Sequence, residues 1–264
     1  MRVSDYPTGI ANWADVGSPD VQRSARFYGE LFGWDPRVSP TPEAGGYTIF
    51  HQGDAAVAGL GPLQGPDQPP AWTIYIATDN VDATAAKVEG AGGRVLMAPF
   101  DVMDQGRMAI FMDPSGAVFG AWQKITFPGA QLKDEPASLS WVELMTRDTD
   151  SCQQFYGAVF GWEPQVYPMN GEPYTVFQIG GGKSAAGMMA MSNGQFPADV
   201  PAHWMLYFEV DDVDATVAKI QELGGTVAMP PTSVPEVGRF ATAVDPTGAY
   251  FSVISSESAP TAPA

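Results

Sequence analysis

The chain has 264 residues, a length typical of one or two domains. Charged residues make up only 16% of it, against a usual ~25%. The 30 acidic residues outnumber the 13 basic ones and leave a net charge of -17. Because nucleic acids and anionic membranes are bound through Lys and Arg, this composition argues against both as partners.

The sequence does not indicate a disulfide, a signal peptide or a membrane-spanning segment. The single cysteine cannot form a disulfide within the chain, and the N-terminus lacks the apolar region of a signal peptide. No apolar stretch approaches the ~20 residues needed to cross a bilayer. We therefore expect a cytoplasmic protein whose partner is a small molecule or another protein.

The chain repeats itself. Residues 27–36 (FYGELFGWDP) recur as residues 155–164 (FYGAVFGWEP), an offset of 128. Further along, VDAT and DPSGA recur at an offset of 132 as VDAT and DPTGA. This predicts two homologous halves at residues 1–127 and 137–255, a linker at 128–136 and a disordered tail at 256–264.

Each half divides again into two similar modules. In the first, a short apolar run precedes a helix that Ser18 or Asp20 can cap and that Gly33 ends. Three strand-like runs follow the helix, and the same order of elements then returns. The predicted runs are strands at 10–16, 34–38, 47–52, 56–63, 72–78, 94–99, 107–112 and 118–124, and helices at 21–32 and 81–91.

Each quarter is therefore a βαβββ unit of the α+β class. A quarter of the chain is 66 residues, a size at which a single domain is marginally stable. Pairing two modules buries the faces that one module leaves exposed. We expect four βαβββ modules that pair into two domains.

The motifs carry a family resemblance. Each half contains F-Y-x-x-x-[LF]-G-W seven residues after an aspartate, and D-P-[ST]-G before a final strand. In this order and duplication, they resemble the vicinal oxygen chelate superfamily, which includes glyoxalase I, extradiol dioxygenases and bleomycin- and mitomycin-resistance proteins. The chain looks most similar to the tandem glyoxalase-like proteins of actinobacteria. The resemblance implies two half-barrel domains, each with a concave face that holds a ligand.

The resemblance also implies where metal ligands would lie. Metal-binding members place His, Gln or Glu on the first strand of each module and on the last strand. Those positions fall here on residues that are poor ligands for a catalytic divalent metal; they are Trp13, Thr73, Gly120, Trp141, Met205 and Ser252. We expect no metal and no other cofactor. One alternative is an improvised site that combines Asp15 or Glu143 with His51 or His203.

Strand alternation predicts what the concave face holds instead. Trp13 and Asp15 share a strand face, as do Trp141 and Glu143 in the second half. The same face takes Thr73, Tyr75, Gly120 and Trp122 in the first half, and Met205, Tyr207 and Ser252 in the second. The concave face of each half, here called its bowl, would contain large rings, a phenol and a single carboxylate. The small Gly120 and Thr73 predict that the first bowl is the roomier.

Three functions remain open at this point. An aromatic bowl without metal ligands favours a metal-independent binder of an apolar or aromatic compound, for antibiotic sequestration or an accessory role in biosynthesis. The alternative is an enzyme, either a glyoxalase-type lyase or a metal-free isomerase or cyclase with Asp15 or Glu143 as general base. The third is a scaffold whose bowls are filled by their own side chains. A homodimer is compatible with all three.

Overall fold

A computed structural model describes residues 1–169, 172–192 and 196–257. It confirms the α+β class and the four βαβββ modules. The first half contains β1 (Ala11–Ser18), α1 (Val21–Phe32), β2 (Asp35–Val38), β3 (Thr48–Gln52), β4 (Ala55–Pro62), β5 (Ala71–Ala77), α2 (Val81–Gly90), β6 (Arg94–Val102), β7 (Gly106–Met112) and β8 (Val118–Lys124).

The second half repeats this order. It contains β9 (Leu139–Thr146), α3 (Thr149–Phe160), β10 (Glu163–Met169), β11 (Glu172–Ile179), β12 (Lys183–Ala190), β13 (His203–Glu209), α4 (Val213–Glu222), β14 (Thr226–Val234), β15 (Gly238–Val244) and β16 (Tyr250–Ser256). Among the described residues, no helix is long and apolar enough to cross a membrane.

Local signals fix the ends of the first helix of each half. The carboxylate of Asp20 accepts the backbone N–H of Arg23, so Asp20 rather than Ser18 caps α1. Gly33 then ends the helix in the left-handed conformation, at a φ of 71° that favours glycine. Asp148 and Gly161 do the same for α3.

Each half forms one eight-stranded sheet that curls into a half-barrel. The strand order is β2-β3-β4-β1-β5-β8-β7-β6 in the first half and β10-β11-β12-β9-β13-β16-β15-β14 in the second. The two modules of a half meet where their first strands pair antiparallel, β1 with β5 and β9 with β13. The first strands therefore form the centre of each sheet, and the residues alternating along them define its two faces.

The helices lie between the two sheets, in an apolar core that both halves share. The ring centroids of Phe27 on α1 and Phe251 of the second half lie 6.1 Å apart. Those of Phe119 and Tyr156 on α3 lie 5.6 Å apart. Trp72 and Trp204 belong to this core. Strand alternation places them on the face of the sheet opposite to that of Trp13 and Trp141. The concave faces point the other way and carry two smaller apolar clusters of their own.

The segment predicted as a linker packs against the first half. The backbone N–H of Ala130 donates to the carbonyl of Asn12 at 2.7 Å, and that of Gln131 donates to Ala56 at 2.7 Å. Ala130 and Leu132 are buried. At the other end of the chain, Ser256 completes β16 instead of beginning the predicted tail, and residues 258–264 lie outside the described residues.

Candidate functional site

The concave face of the first half centres on Asp15. The indole Nε1 of Trp13 donates to the phenol oxygen of Tyr47 at 3.0 Å, and that phenol donates to Oδ2 of Asp15 at 3.0 Å. Tyr75, on the neighbouring strand β5, donates to the same Oδ2 at 3.1 Å. Strand alternation thus places Trp13, Asp15 and Tyr75 together, as the sequence predicts.

The second half repeats the arrangement around Glu143. Trp141 Nε1 donates to the phenol oxygen of Tyr174 at 3.0 Å, and Tyr174 donates to Oε2 of Glu143 at 2.7 Å. Tyr207 donates to Oε1 at 3.3 Å. Each bowl therefore holds one carboxylate between two phenols, and an indole supports one of those phenols.

Sequence reasoning missed Tyr47 and Tyr174. Tyr47 precedes β3 and Tyr174 lies on β11, outside the first and last strands of their modules. A signal was available, because the two tyrosines correspond at an offset of 127, the offset that also relates His51 to Gln178.

Two glycines make room for these phenols. Gly59 on β4 pairs in register with Asp15, and a Cβ on it would overlap the hydroxyl of Tyr47 and lie 2.8 Å from the Cβ of Asp15. Gly187 on β12 pairs with Glu143, and its added Cβ would overlap the hydroxyl of Tyr174. Glycine inside a strand marks such a close approach.

Burial changes the acidity of both carboxylates. Loss of hydration raises the pKa of Asp15 to about 6, although the phenol hydrogen bonds from Tyr47 and Tyr75 act in the opposite direction. Burial likewise raises the pKa of Glu143 to about 7, against the hydrogen bonds from Tyr174 and Tyr207. A carboxyl with a pKa near neutrality can take up or release a proton at physiological pH.

The two bowls differ in how the phenols are distributed. Both phenols of the first half donate to Oδ2 of Asp15, so Oδ1 receives neither of them. In the second half each oxygen of Glu143 receives one phenol. Asp15 therefore has one carboxylate oxygen that accepts from neither phenol, whereas both oxygens of Glu143 are already engaged.

The expectation that Gly120 leaves space in the first bowl is wrong. Gly120 pairs in register with Tyr75, and a Cβ added to it would overlap the Tyr75 ring, so the ring occupies the space beside it. The corresponding Ser252 is fully buried and lies 2.9 Å from the hydroxyl of Thr242. Thr73 and Met205 pair in register with Asp15 and Glu143 and lie beside the carboxylates.

Phe127 closes one end of the first bowl. Its ring contacts Trp13 edge-on at 4.9 Å, and its carbonyl accepts the indole N–H of Trp122 at 2.8 Å. Ile254 takes the place of Trp122 in the second half and has no side-chain N–H to donate. Trp13 and Trp122 are accordingly buried, whereas Trp141 is partly exposed.

Two cavities lie in the second half. One of about 130 Å³ opens on the concave face and is lined by Met169, Glu172, Pro173, Tyr174, Met189, Ala190, Val234 and Phe240. The other, of about 610 Å³, is open to solvent and lies at the ends of three central strands, where β9 begins and β13 and β16 end. Its lining residues are Asp134, Pro136, Ser140, Trp141, Glu209, Val210, Asp211, Ser255 and Ser256.

The donor chemistry does not fit a metal at the positions that the fold suggests. Indole, thioether and glycine occupy most of them, and each carboxylate already accepts two phenol hydrogen bonds. His51 and His203 have their Nδ1 atoms 3.1 and 2.9 Å from carbonyl oxygens of nearby residues. Within the described ranges, no group of three or more His, Cys, Asp or Glu side chains is placed to hold a metal ion.

Sequence comparison identifies the family. A model of the Glyoxalase/Bleomycin resistance protein/Dioxygenase superfamily matches residues 10–120 and 138–253. The chain belongs to this superfamily. The two matched segments coincide with the two curled sheets, so each half is one glyoxalase-like domain.

Several known proteins are similar to this chain over nearly their full length. The anthracycline biosynthesis protein DnrV of Streptomyces peucetius is 41% identical over 94% of each chain. The putative glyoxylase CFP32 of Mycobacterium tuberculosis is 40% identical over 95% of this chain and 96% of its own.

Solved structures share the fold at low identity. The Mn(II)-bound glyoxalase from Novosphingobium aromaticivorans is 17% identical, with a TM-score of 0.65 over 96% of this chain and 85% of its own. The 2,3-dioxygenase LapB from Pseudomonas sp. KL28 is 13% identical, with a TM-score of 0.66 over 98% of this chain and 96% of its own.

Proposed function

We propose that this protein binds an apolar or aromatic small molecule at the concave faces of its sheets and that it does so without a metal. One observation carries the proposal: in each half, aromatic rings surround a single carboxylate that two phenols hold in place. Flat rings next to a few fixed polar atoms suit an aromatic ligand with a hydrogen-bonding edge.

The names of relatives suggest the ligand class. DnrV, and the 41% identical DauV of Streptomyces sp. strain C5, are both named anthracycline biosynthesis proteins. We infer a polycyclic aromatic compound as ligand, and an accessory role in the biosynthesis of such a compound or in its sequestration.

Tryptophan fluorescence tests the binding directly, since Trp13 and Trp141 line the bowls. The protein is titrated with an anthracycline, an anthraquinone and a non-aromatic terpenoid, with and without EDTA, and complexes are weighed by native mass spectrometry. Saturable one-to-one or two-to-one binding of the aromatic compounds, unchanged by EDTA, supports the proposal. No binding by any aromatic compound contradicts it, and binding that EDTA abolishes contradicts its metal independence.

The raised pKa values favour one second candidate. With pKa values of about 6 and 7, Asp15 and Glu143 are suited to general-base catalysis of an isomerisation or cyclisation. In this reaction the carboxylate takes a proton from a carbon acid and returns it after rearrangement. A glyoxalase-type lyase remains the other enzymatic alternative, supported by the name of CFP32.

Conservative variants separate the enzyme from the binder. Asp15→Asn and Glu143→Gln keep the shape of each side chain and remove its basicity. If either variant abolishes a turnover that the wild type shows while ligand binding persists, the protein is an enzyme. A turnover that both variants retain contradicts the general-base mechanism. Turnover of a 2-oxoaldehyde–thiol adduct that depends on stoichiometric metal establishes the lyase instead.

A further inference from the structure

The larger cavity of the second half has a filled counterpart in the first. At an offset of 128, three of its lining residues, Asp134, Ser140 and Trp141, correspond to Tyr6, Asn12 and Trp13. A backbone hydrogen bond just before the first strand corresponds as well. The N–H of Ala137 donates to the carbonyl of Glu209 in the second half, and the N–H of Gly9 donates to the carbonyl of Ala77 in the first.

In the first half these three residues contact the chain segment 127–130. Tyr6 donates its phenol proton to the carbonyl of Ala130 at 2.6 Å, and Asn12 donates its side-chain N–H to the carbonyl of Pro128 at 3.0 Å. The rings of Trp13 and Phe127 pack at nearly a right angle, with their centroids 4.9 Å apart. The segment therefore fills the space that corresponds to the cavity.

Among the described residues of the second half, no aromatic ring pairs with Trp141 as Phe127 pairs with Trp13. The residue that corresponds to Phe127 at an offset of 132 is Ala259, and Ile254 replaces the Trp122 that holds the carbonyl of Phe127. Trp141 is partly exposed, whereas Trp13 is only 4% exposed. The consequence is a cavity of about 610 Å³ beside an indole, large enough for a ring system.

The lining also sets a charge preference. Asp134, Glu209 and Asp211 are acidic, and none of the lining residues is basic. Glu209 is held in place by the hydroxyls of Ser140, at 2.9 Å, and Ser256, at 2.7 Å. Lys133, Lys183 and the N-terminal ammonium act on Asp134 from outside the lining. Glu209 and Asp211 therefore carry the preference: an ammonium or hydroxyl group finds their oxygens as acceptors, whereas an anion finds no side chain of opposite charge in the lining.

We propose that this cavity is a binding subsite for an aromatic ring that carries an ammonium or hydroxyl group, and that the ring packs on Trp141 as Phe127 packs on Trp13. This subsite rests on the proposed function and locates it at one end of the second bowl. The first half then provides an internal ring in the position that a ligand occupies in the second.

A matched pair of small probes tests the subsite. The whole protein is titrated with 1-naphthylmethylamine and with 1-naphthoate, which have the same ring and opposite charge, by calorimetry. The amine is expected to bind with a stoichiometry of one and the carboxylate at least about tenfold more weakly, from the charge of the lining. Equal affinities, or tighter binding of the carboxylate, would overturn the proposal.

Two variants locate the binding. Trp141→Leu removes the indole and is expected to weaken the amine by about tenfold, the value of a lost aromatic pair. Ser256→Phe places a ring in the cavity from an exposed position on β16 beside Glu209 and is expected to block binding, with urea unfolding as the check on its fold. If a folded Ser256→Phe chain binds the amine like the wild type, the subsite is wrong.

A third variant tests the comparison between the halves. Phe127→Ala removes the internal ring of the first half and is expected to leave the affinity of the amine and its stoichiometry of one unchanged. Tyr6 and Ala77 stand there in place of Asp134 and Glu209, and residues 128–130 still occupy the space. Loss of amine binding in this variant would place the ligand in the first half and overturn the proposal.

The outcome is separable from that of the proposed function. If anthracycline binding is unaffected by Trp141→Leu and Ser256→Phe, the subsite fails and the binding function stands. If no aromatic compound binds the wild type, the function itself fails. Binding of the amine only by a chain that ends at Glu257 would assign the cavity to residues 258–264 and overturn the subsite.

Discussion

The phenol of Tyr156 donates a 2.9 Å hydrogen bond to Oδ2 of Asp113, 43 residues away and in the other half of the protein. Tyr28 donates to Asp245 in the same way and at the same distance. The F-Y-G motif of each half is therefore joined to the D-P-[ST]-G motif of the other. Motifs that by themselves indicate a helix and a turn form the buried contact that holds the two domains together.

Removing that phenol destabilises the fold. In Tyr156→Phe, Oδ2 of Asp113 keeps only the weak thiol of Cys152, at 3.9 Å, and Trp204 loses its acceptor. Because a buried carboxylate loses a hydrogen bond, the free energy of unfolding of Tyr156→Phe is expected to fall by about 1–3 kcal/mol. Urea denaturation measures this change. Tyr167→Phe, at a side chain that is 48% exposed, is the control and should change little. Equal stability of the two variants would contradict the structural role of Tyr156.

The sequence predicts one part of the site well and another part poorly. Alternation along β1 and β5 is geometric, so it places Trp13, Asp15 and Tyr75 on one face without knowledge of the fold. Tyr47 approaches Asp15 from the far side of β4. Its repetition as Tyr174 marks the position, but its contact with Asp15 follows only from the pairing of three strands. The contact of Phe127 with Trp13 comes from a segment without periodicity, and no pattern along the chain indicates it.

The phenols keep the pKa of Asp15 from rising further. Tyr47→Phe removes one hydrogen bond to the charged form, so the pKa is expected to rise above about 6 by about one unit. The carbon-13 shift of the Asp15 carboxyl, followed by NMR across pH 4 to 9, measures it. Tyr250→Phe, at an exposed phenol, serves as the control. A pKa that falls in Tyr47→Phe would mean that the phenol oxygen accepts a hydrogen bond from the protonated Asp15 carboxyl instead of donating one to the carboxylate.

The glycines that face the phenols are expected to tolerate no side chain. In Gly187→Ala the new methyl group overlaps the hydroxyl of Tyr174 and lies 2.8 Å from Nε1 of Trp141, so the hydrogen-bonded chain to Glu143 must move. Overpacking of this kind costs about 1–3 kcal/mol, measured as a shift of the urea midpoint. Gly180→Ala, which meets nothing within 4 Å, is the matched control. An unchanged midpoint in Gly187→Ala would show that the Tyr174 hydroxyl does not lie over this glycine.

Glu143 makes the stability of the protein depend on pH with a defined sign. In the unfolded chain it loses its proton near its ordinary pKa of 4.5, whereas in the folded protein it keeps the proton up to about 7. Its contribution to stability is therefore greatest below pH 4.5, decreases as the pH rises to about 7 and stays constant above that value. The loss is up to about 3 kcal/mol for this buried carboxyl.

Urea unfolding of the wild type and of Glu143→Gln at pH 4.5, 6 and 7.5 measures this loss. As the pH rises, the free energy of unfolding of the variant should increase relative to that of the wild type. Glu163→Gln, on the exposed strand β10, corrects for the removal of one negative charge. A difference between wild type and Glu143→Gln that stays constant across the three pH values would contradict a raised pKa at Glu143.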